Sequence, residues 1–223
     1  MKKKILIIQH HSKFGGASKS ISEFILKLQK KFDFDIICPF GSTYEFFKNK
    51  RLNVHGLTGI PSYDITEIGN YLGLRKILLL REIIFLFFFL LKIFQIKKKY
   101  NLIHLNDTNL IIIAPILKFF FKSKIICHVR TRVKKNKIPS FVNFISKNYI
   151  DKYICIDKST FSTSPNKKKS IIIYNVFQSA KLNKKKSNKK KFFCVGFLGS
   201  LDFHKGLDFY FDCISDININ KNN

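Results

Sequence analysis

Short apolar runs separated by longer mixed segments punctuate the chain from its first residues. "KILIIQ" (Lys4–Gln9), "FDIICPF" (Phe34–Phe40), "NLIHLN" (Asn101–Asn106), "KIICHV" (Lys124–Val129), "KYICID" (Lys152–Asp157) and "KSIIIYN" (Lys169–Asn175) are apolar and β-branched through most of their length. A strand with one wet face alternates apolar and polar residues, whereas runs apolar on both sides belong to strands covered on both faces. Between the first two runs lies "GASKSISEFILKLQKKF" (Gly16–Phe32), whose helix-like pattern suits a crossover between parallel strands.

The alternation predicts an α/β fold, a Rossmann-like doubly wound parallel sheet. Ligands of such sheets bind beyond the carboxyl ends of the strands, so the residues following each run are the first candidates for function. The N-terminus "MKKKILIIQHHSKFGG" has a basic start, but Ile5–Ile8 is too short for the apolar core of a signal peptide and reads as the first strand.

The most apolar segment is "ILLLREIIFLFFFLLKIF" (Ile77–Phe94). Its uninterrupted part, Ile83–Leu91, falls short of the roughly 18 to 20 residues a membrane span needs. Two readings stay open: a helix packed on the sheet, or one whose aromatic face around Phe87, Phe88 and Phe89 dips into a bilayer surface, with Lys97–Lys99 drawing anionic lipid.

"KLNKKKSNKKK" (Lys181–Lys191) carries like charge without apolar partners and reads as an extended, solvated linker. It divides residues 1–180, a first Rossmann-like domain, from residues 192–223. The latter hold "VGFLGSLDFHKGLDFYF" (Val195–Phe211), which reads as a buried strand, a glycine turn and a helix start. A second domain opened there needs several more strands and helices, so the expectation is a domain fragment.

At 223 residues and 46% hydrophobic, the chain has enough apolar material for one good-sized domain, or a domain and part of another. Its formal charge of +27 admits anionic membrane or nucleic acid as partner, but the joint richness in Lys, Ile, Asn and Phe looks like background residue bias. Nucleic acid has only the charge behind it, since no aromatic-interleaved basic motif or helix-turn-helix signature is present, and it is not expected as a partner. Cys38, Cys127, Cys155, Cys194 and Cys213 are dispersed and odd in number, which predicts buried reduced thiols of a cytoplasmic protein rather than disulfides or a zinc site.

Three places could carry chemistry. In "HHSKFGGASKSI", Gly15 and Gly16 allow close backbone approach to a ligand at a helix N-terminus, or form only a tight turn; this is neither a Walker loop nor a G-x-G-x-x-G fingerprint. After "NLIHL", Asn106 and Asp107 sit on a loop able to meet a polar ligand, while His104 reads as a structural histidine. His128 closes its strand with Arg130 and Arg132 following, either a grip for an anionic or polyhydroxylated substrate or a solvated basic loop. In the last stretch, Gly196 and Gly199 surround a strand end, and Lys205 and Gly206 begin a helix. No nucleophile with a paired base and no carboxylate pair stands out, so hydrolase chemistry is disfavoured.

The succession "GGASKSI", "YNLIHLND", "IICHVR", "KYICIDKST", "IIIYNVF" and "VGFLGSLDFHKGLD" resembles the family-4-type glycosyltransferases of the GT-B fold. The resemblance implies an acceptor-binding N-terminal domain facing a donor domain that holds a nucleotide-sugar, and sugar transfer with retention, with no cofactor and no metal. It further implies that Gly15, Gly16, Gly199 and Lys205 meet the donor diphosphate and sugar, that His128 is the catalytic group beside the reacting sugar, and that Asn106, Asp107, Arg130 and Arg132 lie on the acceptor side. A lipid-linked or saccharide acceptor, in cell-envelope polysaccharide assembly at the cytoplasmic face of a membrane, would suit the basic, aromatic first domain.

Two departures stand against the pattern. Ser200 occupies the place of a usual arginine, and the two glutamates seven residues apart that hold the donor would lie beyond Asn223. The expectation is a truncated glycosyltransferase, weakly active or inactive unless a separate chain supplies the rest of the donor domain. The alternative is a non-catalytic module that binds a membrane surface or a partner.

Overall fold

The computed structural model describes residues 2–67, 78–96, 98–134, 138–175, 195–199 and 206–219. The chain divides into two compact units, Met1–Val176 and Phe177–Asn223.

In β1 (Lys3–Ile8) successive side chains point to opposite faces, and Ile5, Leu6, Ile7 and Ile8 are all buried, as a doubly covered strand requires. The same holds in β2 (Phe32–Pro39), where Ile36, Ile37 and Cys38 are buried. With β3 (Val54–Leu57), β4 (Leu102–Leu105), β5 (Lys124–Val129), β6 (Lys152–Cys155) and β7 (Ser170–Ile172) they form one seven-stranded sheet. Every pairing is parallel, and the order is β3-β2-β1-β4-β5-β6-β7. The order reverses between β1 and β4, which is the switch point where open α/β sheets bind ligands. The Rossmann-like α/β sheet expected from the apolar runs is therefore present, with β3 added at one edge.

Each face has its own helices. Leu6, Ile8, Ile103, Leu105, Ile125, Cys127, Val129, Tyr153 and Cys155 form one face. It is covered by α3 (Leu78–Gln95), α4 (Ala114–Phe121) and α5 (Ser140–Tyr149), through residues such as Phe89, Leu117 and Val142. On the other face Ile5, Ile7, Ile36 and Cys38 pack against Ile21 and Ile25 of α1 (Gly16–Leu28) and Phe47 of α2 (Ser42–Asn49). A short α6 (Lys158–Ser162) is started by a reciprocal cap, the Asp157 carboxylate accepting from Thr160 N–H at 2.7 Å while the Thr160 hydroxyl accepts from Asp157 N–H at 3.2 Å.

Helix α3 packs one stripe on the sheet and leaves its opposite side exposed. Glu82, Phe89 and Ile93 are its buried residues, and the Glu82 carboxylate accepts the Ser62 N–H at 2.8 Å and the Arg81 guanidinium at 2.6 Å. The opposite side is open, with Leu80, Ile83, Phe87 and Phe94 exposed by 62%, 63%, 57% and 65%. Phe89, grouped from sequence with the outer aromatic face, instead fills the core. No helix among the described residues is long and apolar enough to cross a membrane.

In the second unit the described residues are 195–199 and 206–219. Gly206 takes φ +74 at the start of α7 (Leu207–Ile219), and the Tyr210 ring lies 5.4 Å from that of Phe197. Val195–Leu198, read from sequence as a buried strand, is irregular; Val195 and Leu198 are exposed, because no described strand pairs with them. The linker Lys181–Lys191 lies outside the described residues.

Candidate functional site

The candidate site is built at the carboxyl ends of β1, β4 and β5. In a parallel sheet, residues two apart along a strand share a face, so the series Ile7–Gln9, His104–Asn106 and His128–Arg130 runs up the α1 side of the sheet and over its edge. Gln9 N–H still bonds Ile37 C=O at 3.0 Å and Asn106 N–H bonds Ile8 C=O at 3.0 Å, which extends the ladder past the apolar runs. The buried Asn106 side chain then donates from Nδ2 to the side-chain Oε1 of Gln9. Arg130 completes the row, its Nε and Nη2 donating to Asn106 Oδ1 at 2.9 and 2.7 Å and its Nε also reaching Asn106 C=O at 3.2 Å.

Asn106 and Asp107, expected on a loop open to ligand, are thus buried and already engaged. Asp107 Oδ1 caps the 3-10 turn Thr108–Ile113, accepting Asn109 N–H at 3.0 Å. Burial raises the Asp107 carboxyl, aided by the neighbouring Asp64 charge and opposed by the Asn109 hydrogen bond, by His11 and by Arg130. Burial also draws Arg130 down to about 10, against the pull of Asp107.

One layer lower, His128 stacks on His104, their ring centroids 5.5 Å apart and their planes 25° from parallel. Both line a cleft of about 280 Å³ with Phe24 and Lys27 of α1, Ile154 of β6, and Ile173 and Tyr174 beyond β7. Burial, then the charges of Arg130 and His104, hold His128 near 2; burial and Arg130 hold His104 near 3. Both rings are neutral at physiological pH, so His128 can orient or polarise a bound hydroxyl but brings no charge of its own.

At the switch point, Gly15 is the extended N-cap residue of α1 and supplies no side-chain cap, and no acidic residue stands in the first turn. A Cβ placed on Gly15 or Gly16 would meet nothing within 4 Å, so nothing in the first unit itself demands glycine there. The loop before them is pinned from α2: Phe14 N–H donates to Ser42 Oγ at 2.8 Å and Thr43 N–H to Ser12 C=O at 2.9 Å. This contact depends on Gly41, whose φ is +140 and whose added Cβ would stand 2.7 Å from the Ser12 carbonyl oxygen.

The residues singled out from sequence do not all converge. His128, Arg130, Asn106 and Asp107 share the carboxyl edge of the sheet, and Gly15 and Gly16 lie on the α1 loop at the β1 end of that edge. Arg132 instead pairs with Glu67 at 3.3 Å on the surface. Gly199 lies in the second unit, exposed, and Lys205 lies outside the described residues. Sequence reasoning missed Gln9 and His10, and took His104 as merely structural. Buried polar side-chain atoms are nearly always hydrogen-bonded. Here Gln9 Nε2, His10 Nδ1, His104 Nε2 and both nitrogens of His128 have no partner, five of the six such atoms among the described residues. The histidine doublet directly after the first strand was the available signal.

No protein-family profile matches the chain, and no curated protein matches it. Solved structures do. Anabaena HepE in complex with UDP-glucose superposes with a TM-score of 0.53 at 12% identity, over 78% of this chain and 44% of that one. HepE in complex with UDP gives 0.51 at 13% identity, over 78% and 44%. The apo lipopolysaccharide outer core galactosyltransferase WaaB gives 0.49 at 13% identity, over 80% and 47%. The chain spans less than half the length of these structures. At such identities the likeness is one of fold: this chain and HepE share a Rossmann-like α/β domain.

Proposed function

We propose that this chain is a glycosyltransferase-like protein that binds a nucleotide-sugar and moves its sugar, with retention, to a lipid-linked or saccharide acceptor. The observation that carries this reading is the concentration of unpartnered buried polar atoms at the reversal of strand order, beside an uncapped helix N-terminus. The free N–H groups at the start of α1 suit a diphosphate, whose charge grows as the sugar–phosphate bond breaks. Neutral His128 orients a sugar hydroxyl in the cleft, and Arg130, fixed by Asn106, adds positive potential above it. Anabaena HepE, with the same domain fold, was solved with UDP-glucose, which favours a nucleotide-sugar as donor here. Calorimetric titration of the chain with UDP-, GDP- and TDP-sugars tests the donor half of the reading: saturable binding of one of them supports it, and no binding of any overturns it.

A second observation favours a membrane surface as the site of action. The open side of α3 continues onto α4, Phe94 meeting Phe120 at 4.8 Å and Phe120 meeting Phe119, itself 76% exposed, at 5.3 Å. Lys92, Lys99 and Lys122 lie on the same elements and their flanks. An apolar aromatic patch bordered by lysines matches an anionic lipid interface, where rings enter the headgroup layer and ammonium groups pair with phosphate. The alternative role, a membrane-binding module without catalysis, uses the same surface.

A further inference from the structure

The resemblance to metal-independent transferases leaves unexplained a group of side chains at the end of β1. His10 and His11 follow the strand directly, their ring centroids 3.8 Å apart. One ring nitrogen from each, together with a carboxylate oxygen of Asp107, fall within 4.8 Å of one another. Asp107 arrives from the end of the adjacent β4, so the three meet at the reversal of strand order.

We propose that His10, His11 and Asp107 form a binding site for a borderline divalent transition metal such as Zn²⁺ or Co²⁺. Two imidazoles and one carboxylate are a ligand set for such ions, whereas Mg²⁺ and Ca²⁺ call for oxygen throughout. Neighbouring ligand atoms about a tetrahedral zinc lie about 3.3 Å apart, so the group needs to close by at most about 1.5 Å. His10 and His11 lie on the irregular segment between β1 and α1, where side-chain rotation supplies that movement.

An independent observation points to a ligand at this place. Nδ1 of His10 is buried with no hydrogen-bond partner. Asp107 is oriented beforehand: Asn109 N–H and the Thr108 hydroxyl both meet Oδ1, at 3.0 and 3.4 Å. Such hydrogen bonds fix a ligating carboxylate. Charge around the site is mixed, with Asp64 favouring a cation and Arg130 opposing it. Three protein ligands leave at least one coordination position for water or a phosphate oxygen. The inference concerns metal affinity and stands apart from the donor reading.

Titration of the tag-free full chain with Co²⁺, followed by visible absorption and with Zn²⁺ competition, tests it. One saturable Co²⁺ per chain is expected, with d–d absorption and no thiolate charge-transfer band. His11→Ala removes an exposed side chain and should weaken binding by more than about tenfold with the fold intact by circular dichroism. Asp107→Asn, which retains a capping oxygen, should weaken it likewise, while His55→Ala should not. Absence of saturable binding, a thiolate band, or binding unchanged in His11→Ala overturns the proposal.

Discussion

His128 lies against His104 across neighbouring strands, ring centroids 5.5 Å apart, with Arg130, just past the end of β5, adding positive charge beside both. The neutral state of these rings is a consequence of the fold. Their NMR ring-proton shifts should stay flat from pH 8 to pH 5, and an inflection near the ordinary histidine value of about 6.5 would contradict the geometry.

The same burial sets the acid sensitivity of the domain. His104, near 3 when folded, binds fewer protons than in the unfolded chain between that value and about 6.5. Stability therefore rises with pH through this window, is fully present above it, and is lost as pH falls. From pH 7 to pH 5 the loss is on the order of 2 kcal/mol for this one ring. The carboxyls of Asp35 and Asp151 are lowered as well: burial raises them, but hydrogen bonds, including those from Lys98 and Lys118 respectively, outweigh it, so their contribution has the same sign and fades only at lower pH. Denaturant midpoints measured at pH 7 and pH 5 should fall accordingly, and His104→Gln should flatten the slope.

Gly41 and Gly15 make opposite predictions for the same substitution. Gly41→Ala forces a residue into positive φ and against Ser12, and should cost about 1–3 kcal/mol, or several degrees of melting temperature. Gly15→Ala, in extended backbone with open space at Cβ, should leave the melting temperature within about a degree. Equal effects of the two would show that Gly41 does not hold the α1 loop.

For the membrane surface, Phe87→Ser and Phe94→Ser together should abolish sedimentation of the chain with anionic vesicles at low salt while preserving stability. Phe89→Ala, in the core, should instead destabilise by about 3–5 kcal/mol. Binding that persists in the exposed double variant, or that never occurs at low salt, would remove the lipid reading.

The strands were legible because burial on both faces writes itself as consecutive apolar residues, and Ile5–Ile8 and Ile36–Cys38 obey this directly. β3 was not, since "VHGL" is three half-buried residues and a single buried Leu57 at a sheet edge, with His55 and Gly56 breaking the run. The inner stripe of α3 was hidden for a different reason: where every position is apolar, only packing decides that Phe89 turns inward and Phe87 outward. Asn106 and Asp107 were correctly placed at a strand end, yet their engagement with Gln9, Arg130 and Asn109 depends on strand register. Gln9 and His10 escaped notice for the same cause, since their meaning comes from β4 lying beside β1.

Gly16 offers the most direct test of the proposed function. A Cβ there meets nothing within 4 Å, so Gly16→Val should fold and melt like the parent protein. If the start of α1 cradles a donor diphosphate, the valine blocks that approach, and calorimetric affinity for the nucleotide-sugar that the parent chain binds should fall by at least about tenfold, or 1.4 kcal/mol. Unchanged affinity in the folded Gly16→Val variant would contradict the account.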